Sequence, residues 1–229
     1  MDKSVIILAV DSSNKFGEDK GLLKLDNKPL LKYVIDSVNG IADEVIIVTT
    51  SEERAESYAK IVSPKVKFVC DADKSKGLLG AALAGFKAAE GKYSLLLPFD
   101  SPFVSQNVVA LLFDCGMGKS ADIARSPDCE MEPLHAVYNT KLALEAAKEA
   151  LATGELDVSA IVDKLHGVRY MSTMVIEQLD PDFKTFFRII TPLDLKKAVV
   201  MSKPRTSASK KGSARAALMP IQTTKKTRL

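Results

Sequence analysis

Cysteine and histidine are scarce in this 229-residue chain. The three cysteines, Cys70, Cys115 and Cys129, are odd in number and form no C-x-x-C pair. That argues against a disulfide framework or a structural zinc site and points to a reducing cytoplasm. The two histidines, His135 and His166, are too few and too far apart for a histidine-rich metal site. Long hydrophobic runs are also missing. Residues 5–10 and 95–98 are among the longest, far short of the roughly 20 residues a membrane span needs. The N-terminus, MDKSVIILAV, is apolar for only six residues before Asp11. It is too short for a secretory signal and reads as a first strand. No internal repeat is visible.

What is present is ordinary for a soluble globular protein: 46% hydrophobic and 27% charged residues. A chain of this length can bury a large core without staples. The net charge of +3 averages two unlike regions. From Lys203 onward there are eight bases (Lys203, Arg205, Lys210, Lys211, Arg215, Lys225, Lys226 and Arg228) and no acid. Residues 1–202 hold the other 24 bases against 29 acids. The division expected is an acidic body, 1–202, and a basic tail, 203–229, too poor in aromatics to order itself. The tail suits salt-sensitive contact with nucleic acid or another acidic partner; a merely solubilising extension is the alternative. Oligomeric state is not legible.

Within the body, short apolar runs alternate with helical patterns. Residues 4–10 (SVIILAV), 44–50 (EVIIVTT), 66–70 (VKFVC) and 93–98 (YSLLLP) read as strands buried on both faces. Leu30, Leu31, Val34, Ile35 and Val38 recur at helical spacing after Pro29, placed at a first turn. Helices are also expected over 52–62 and 77–89. This alternation predicts an α/β fold with a parallel sheet covered on both faces. Beyond residue 120, residues 121–125 and 134–138 read as strands that need not be parallel. Residues 141–152, 157–165 and 193–201 read as helices.

Ligands of such sheets sit at the carboxyl ends of the strands, so three loops matter. Residues 11–20 follow the first strand, and Lys15 and Lys20 could both reach a triphosphate; a solvated loop is the alternative, and Asp11 would repel phosphate. Asp71 precedes Gly77, Gly80 and Gly85. It could accept from a base; glycines serving only helix–sheet packing are the alternative. Asp100, directly after a buried strand, sits where a carboxylate holds Mg²⁺; a turn or helix-cap role is the alternative.

Together these residues resemble the molybdenum cofactor guanylyltransferase family and its nucleotidyltransferase relatives. The family's L-A-G-G-x-S-x-R-M-G-x-D-K is similar to Leu8, Ala9, Ser13, Gly17, Asp19 and Lys20. Its G-P-L-A-G-x-x-A-G after an Asp resembles Asp71 with Gly77, Leu79, Ala84 and Gly85. Its C-D-M-P-F resembles residues 99–103, and its E-P-L-x-A-x-Y matches residues 132–138 at every fixed position. Its closing F-x-N-I-N-T-P-x-D-L resembles residues 186–195. Val10 and Asp11 replace the paired glycines, Lys15 the arginine, Leu78 a proline, and Arg188 and Ile190 the two asparagines.

The resemblance implies a three-layer Rossmann-like nucleotidyltransferase fold with a mostly parallel central sheet. It implies transfer of a nucleoside monophosphate, GMP from GTP first, to a phosphorylated acceptor such as molybdopterin, with release of pyrophosphate and no membrane. Asp100 would hold Mg²⁺ as the cofactor, and Lys20 and Lys15 would neutralise the triphosphate. Leu8, Ala9, Val10, Lys20, Asp71, Gly77 and Asp100 would contact the nucleotide, with Asp71 accepting from the guanine N1 and N2 donors. Glu132, Pro133 and Leu134 would lie towards the acceptor, or form an ordinary strand. A cytidylyltransferase or cobinamide-phosphate guanylyltransferase is the alternative enzyme. A degenerate nucleotide-binding protein with little turnover is the alternative from another class.

Overall fold

The computed structural model of the chain describes residues 1–10, 15–63, 65–125 and 130–203. The expectations for Asp11, Cys129 and the tail beyond Lys203 lie outside those residues. Nine strands are described: β1 Lys3–Ala9, β2 Lys24–Leu25, β3 Lys28–Pro29, β4 Glu44–Thr49, β5 Lys67–Cys70, β6 Tyr93–Pro98, β7 Ala121–Arg125, β8 Met131–Asn139 and β9 Val168–Ser172. The helices are α1 Leu30–Val38, α2 Glu52–Ala59, α3 Gly77–Ala88, α4 Gln106–Gly116, α5 Thr140–Ala152, α6 Ser159–Lys164, α7 Thr173–Glu177 and α8 Pro192–Ser202. Seven strands form one sheet in the order β5-β4-β1-β6-β8-β7-β9. Only β8 runs against its neighbours. The sheet is therefore mostly parallel, as expected.

Strand β1 shows why its sequence is apolar throughout. Alternate strand residues point to opposite faces. Val5, Ile7 and Ala9 enter one core with Val34 and Val38 of α1 and Val108 and Leu112 of α4. Ile6 and Leu8 enter the other, with Leu79 and Phe86 of α3 and Ala143 and Ala147 of α5. Helices thus cover both faces, giving three layers. Gly85 sets the upper limit on the gap on the second face, because a Cβ there would run into Ile6 Cγ2.

Topology places the functional edge. From β1 the chain moves outward through β4 to β5, then returns to pair β6 with the other side of β1. In sheets of this kind ligands bind at the carboxyl ends of the strands beside such a reversal, here those of β1 and β6.

Some elements differ from the sequence expectation. Pro29 caps α1 from outside, in an extended conformation, instead of starting its first turn. Helix α2 stops at Ala59 rather than 62. The strand expected over 134–138 extends to Met131–Asn139. Strand β9, helices α4 and α7 and the β2–β3 hairpin were not foreseen.

One buried carboxylate stands apart from the Asp100 contacts. Asp122 on β7 is fully buried, and neither oxygen has a hydrogen-bond partner. Burial pushes its pKa up to about 6, opposed only by Arg169 with its Nε 3.9 Å away. Below the unfolded value of 3.8 both states hold the proton. As pH rises the unfolded chain ionises first, so stability falls, and the whole penalty stands above about pH 6. Asp122→Asn is expected to gain about 2 kcal/mol at pH 7.5. Denaturant unfolding should show that gap closing as pH drops to about 4; a constant gap would refute the account.

Candidate active site

The crevice begins with Asp19. Its carboxylate accepts from Arg54 Nε at 2.7 Å, Tyr58 OH at 2.7 Å and the Gly21 N–H at 2.8 Å. Burial works against ionisation of Asp19, but the Arg54 and Tyr58 hydrogen bonds and the Arg54 charge hold its pKa below the ordinary carboxylate value. The same burial, with Asp19 beside it, pushes the Tyr58 phenol up, so it stays a donor. This network ties the end of the first loop to α2. The turn that follows, with Leu22 N donating to Asp19 O and Leu23 N to Lys20 O, carries Lys20 inward, where it is 5% exposed.

Lys20 Nζ donates to Asp100 Oδ2 at 2.6 Å, and Asp100 is completely buried. The ammonium also lies over the Phe99 ring, 5.3 Å from its centroid, and 5.9 Å from that of Phe16. A second cation meets the same carboxylate. Arg188 donates through Nε to Oδ1 at 2.9 Å and through Nη2 to Oδ2 at 3.2 Å. This is the two-pronged geometry that suits a guanidinium to a carboxylate. The backbone holds Arg188 there, since Ile189 N donates to the Asp100 carbonyl at 2.9 Å. Phe187 packs against Phe103, ring centroids 6.1 Å apart. Thr191 and Asp194 close a capping box at the start of α8 immediately after.

Beside Asp100 lies His135 on β8. It is fully buried, its Nε2 3.2 Å from Ser101 Oγ and its ring edge-on to Phe186 at 5.3 Å. Burial drives its pKa down to about 3, with the Arg188 charge adding and Asp100 opposing. It is therefore a neutral imidazole at working pH. Nδ1 has no hydrogen-bond partner, and Glu132 Oε2 lies 4.0 Å from it. Burial raises the Glu132 pKa, and Arg188 works against that rise. Lys20, Asp100, Ser101, Glu132, His135 and Arg188 thus gather in one cluster.

The other expected site residues are spread out. Leu8 and Ala9 remain inside the sheet, registered with Val48 and Thr49, and Val10 is the first residue beyond the strand. Lys15 is exposed. Asp71 follows β5, its N–H bonded to Thr49 O at 2.8 Å, and its carboxylate faces the first turn of α3 at Gly80. Pro133 offers its carbonyl to Tyr138 OH at 2.8 Å, and Leu134 packs against the second core. Both have structural work there.

Gly77 has a structural reason of its own. Its φ is +58°, and a Cβ would lie 2.8 Å from the Leu156 carbonyl oxygen, which accepts from Leu79 N. Gly77→Ala is expected to cost about 1–3 kcal/mol from left-handed strain and the forced shift of Leu156. Unfolding by urea measures this, and a loss under about 0.5 kcal/mol would mean the turn re-forms without strain.

The expectation of Mg²⁺ on Asp100 meets an obstacle in this geometry. Both carboxylate oxygens already accept from cations. No cluster of three or more His, Cys, Asp or Glu suited to a metal occurs among the described residues. As arranged, the residues do not fit a divalent ion resident on Asp100.

The sequence pointed to Lys20 and Asp100 but missed Arg188 as an Asp100 partner, and it missed Ser101, Arg54 and Tyr58. Arg188 carried a visible signal, because it stands where the resembled motif has asparagine. For the others the signal is tertiary contact alone.

Known proteins resemble the chain in sequence and in fold. A curated relative from Methanosarcina mazei, described as a probable molybdenum cofactor guanylyltransferase, is 29% identical, covering 89% of this chain and 92% of its own. One from Desulfosudis oleivorans, described as a molybdenum cofactor guanylyltransferase, is also 29% identical, over 84% and 92%. The crystal structure of molybdopterin-guanine dinucleotide biosynthesis protein A from Archaeoglobus fulgidus superposes with a TM-score of 0.73 at 24% identity, over 86% and 97% of the two chains. The 2-C-methyl-D-erythritol 4-phosphate cytidylyltransferase of Thermus thermophilus shares the fold, with a TM-score of 0.62 at 19% identity over 88% and 98%. The model of the MobA-like NTP transferase domain matches residues 5–168, the span that carries both β1 and β6 with the loops after them, and the chain belongs to that family.

Proposed function

We propose that the chain transfers GMP from GTP to a phosphorylated acceptor, molybdopterin being the acceptor that its relatives' names favour. An oxygen of the acceptor's terminal phosphate forms a bond to the α-phosphorus. The bond from that phosphorus to the bridging oxygen of the β-phosphate breaks, and pyrophosphate leaves. The observation that carries this reading is the convergence of Lys20 and Arg188 on buried Asp100 at the reversal between β1 and β6. Transfers of this kind need positioning and charge neutralisation more than covalent chemistry, and two fixed cations provide both.

In this reading Lys20 faces the triphosphate, with Lys15 free to swing towards it from the exposed loop. Val10 and the end of β1 meet the nucleotide through the backbone. Asp71, aimed at the first turn of α3, reads the guanine edge, and Gly77 admits the base beside that turn. Glu132 marks the acceptor side. A divalent ion chelated by the triphosphate would enter with the nucleotide, as part of the substrate. We place the activity in the cytoplasm, a reading supported by Cys70 and Cys115 being free thiols. No helix of the described residues is long and apolar enough to cross a membrane.

The test is to incubate the protein with molybdopterin and each labelled NTP and follow pyrophosphate. Release with GTP supports the proposal, and release with CTP alone would move the chain to the cytidylyl alternative. Binding without release, with every acceptor tried, would mean a nucleotide-binding protein. Residues 1–202 form the catalytic unit in this proposal, so a chain ending at Ser202 is expected to bind GTP within about twofold of the full chain, less than a third of a tenfold step in free energy. A tenfold loss, measured by calorimetry, would put the boundary elsewhere.

A further inference from the structure

The geometry points to Arg188 as the residue that takes the place of a divalent ion at Asp100, so that GTP is held by two protein cations and its binding does not depend on metal. The inference rests on the nucleotide reading of the crevice and adds a residue that selects how charge is balanced there. Three observations carry it.

The first is occupancy. A metal bridging a carboxylate to phosphate needs an oxygen lone pair aimed at it. Asp100 Oδ1 accepts from Arg188 Nε, and Oδ2 accepts from both Lys20 Nζ and Arg188 Nη2. Asp100 is completely buried, so no solvent-facing side of the carboxylate remains for an ion to approach.

The second is anchoring. A surface arginine could swing away from an incoming ion, but this one is fixed at its root. Ile189, fully buried, donates its N–H to the Asp100 carbonyl, so main chain and side chain of one segment both close on one aspartate. The aromatic contacts Phe186–His135 and Phe187–Phe103 lie immediately before Arg188. The capping box of Thr191 and Asp194 lies immediately after it.

The third is charge. With Lys20 on Asp100 in either case, Arg188 supplies one fixed positive charge where a divalent ion would supply two. A guanidinium has five N–H donors, of which two are used on Asp100. The Arg188 side chain remains 33% exposed, so donors are left for a phosphate. A planar fork suits bidentate phosphate recognition in a way that asparagine, which it replaces relative to the resembled motif, cannot.

Calorimetric titration of GTP into the intact protein tests this, in buffer with EDTA and in buffer with excess Mg²⁺, for wild type and Arg188→Asn. Wild type is expected to bind with dissociation constants agreeing within about threefold in the two buffers. Arg188→Asn is expected to bind about tenfold or more weakly in EDTA, the scale of a charge-assisted hydrogen bond, and to recover most of that loss with Mg²⁺. A wild-type affinity that falls tenfold when Mg²⁺ is removed overturns the inference and leaves the transferase reading standing. So does an Arg188→Asn protein that binds as tightly as wild type in EDTA. Absence of GTP binding by wild type in both buffers overturns the transferase reading as well. The wild-type arm decides the matter even if the variant does not fold.

Discussion

Asp100→Ala is expected to lower the unfolding free energy by about 3–5 kcal/mol and to abolish pyrophosphate release. The stability figure follows from what the carboxylate holds together. Removing one partner of a buried ion pair leaves an uncompensated buried charge, and Lys20 is 5% exposed. The loss is larger than for a simple pair because Arg188 is released too, leaving two like charges next to each other. The Ile189 N–H bond to the Asp100 carbonyl survives the substitution, which keeps the segment near the site and keeps the repulsion local. Denaturant unfolding measures the first effect and a pyrophosphate-coupled assay the second. A variant as stable as wild type would mean that water or another anion replaces the carboxylate. Asp100→Asn sharpens the comparison. It keeps the shape, has one oxygen to accept with, and loses the charge, so its stability should fall between the two.

Lys20→Met is expected to leave the fold largely intact while lowering GTP turnover by about 100- to 1000-fold, the usual cost of one preorganised charge-stabilising donor. Methionine fills much the same space beside Phe99 and Phe16, and Asp100 keeps both of its Arg188 bonds. The carboxylate therefore keeps a charged partner in Arg188. The two variants should separate cleanly: Asp100→Ala weak in both stability and activity, Lys20→Met weak in activity alone. Calorimetry and steady-state kinetics on one preparation would show it. If Lys20→Met turned over at the wild-type rate, Lys20 would be a structural counter-ion and the phosphate reading of the crevice would fail.

Much of the architecture was legible because its causes are local. Strand β1 is apolar on both faces because both faces are covered, and that leaves a continuous run in the sequence. Helix α1 carries its stripe at helical spacing. The elements that were missed lack such a trace. Strand β9 is mostly exposed, with Met171 alone buried, and it owes its existence to pairing with β7. The β2–β3 hairpin has two residues a side, with Asp26 and Asn27 at positive φ, too short for any alternation to show.

The candidate site divides in the same way. Lys20 and Asp100 stand directly after strands, where topology alone points to the crevice. The family resemblance, too, was readable from ordered motifs. Arg188 lies 88 positions from Asp100 in the chain. Its substitution was visible, but the ion pair it forms depends on how the 180–190 segment crosses the sheet edge. The neutrality of His135 is a product of complete burial, which residue spacing does not reveal. Gly77, expected beside a nucleotide, also has a structural reason in the Leu156 carbonyl, which residue spacing does not reveal.

The Ile189–Asp100 backbone bond also bears on the order in which the protein becomes functional during synthesis. Strand β9 ends at Ser172, so the ribosome has delivered every strand of the sheet, along with Lys20 and Asp100, before Arg188 leaves the exit tunnel. A nascent chain at that stage presents Asp100 with one cation rather than two. Arg188 is thus added to the Asp100 carboxylate only after every described strand has been synthesised.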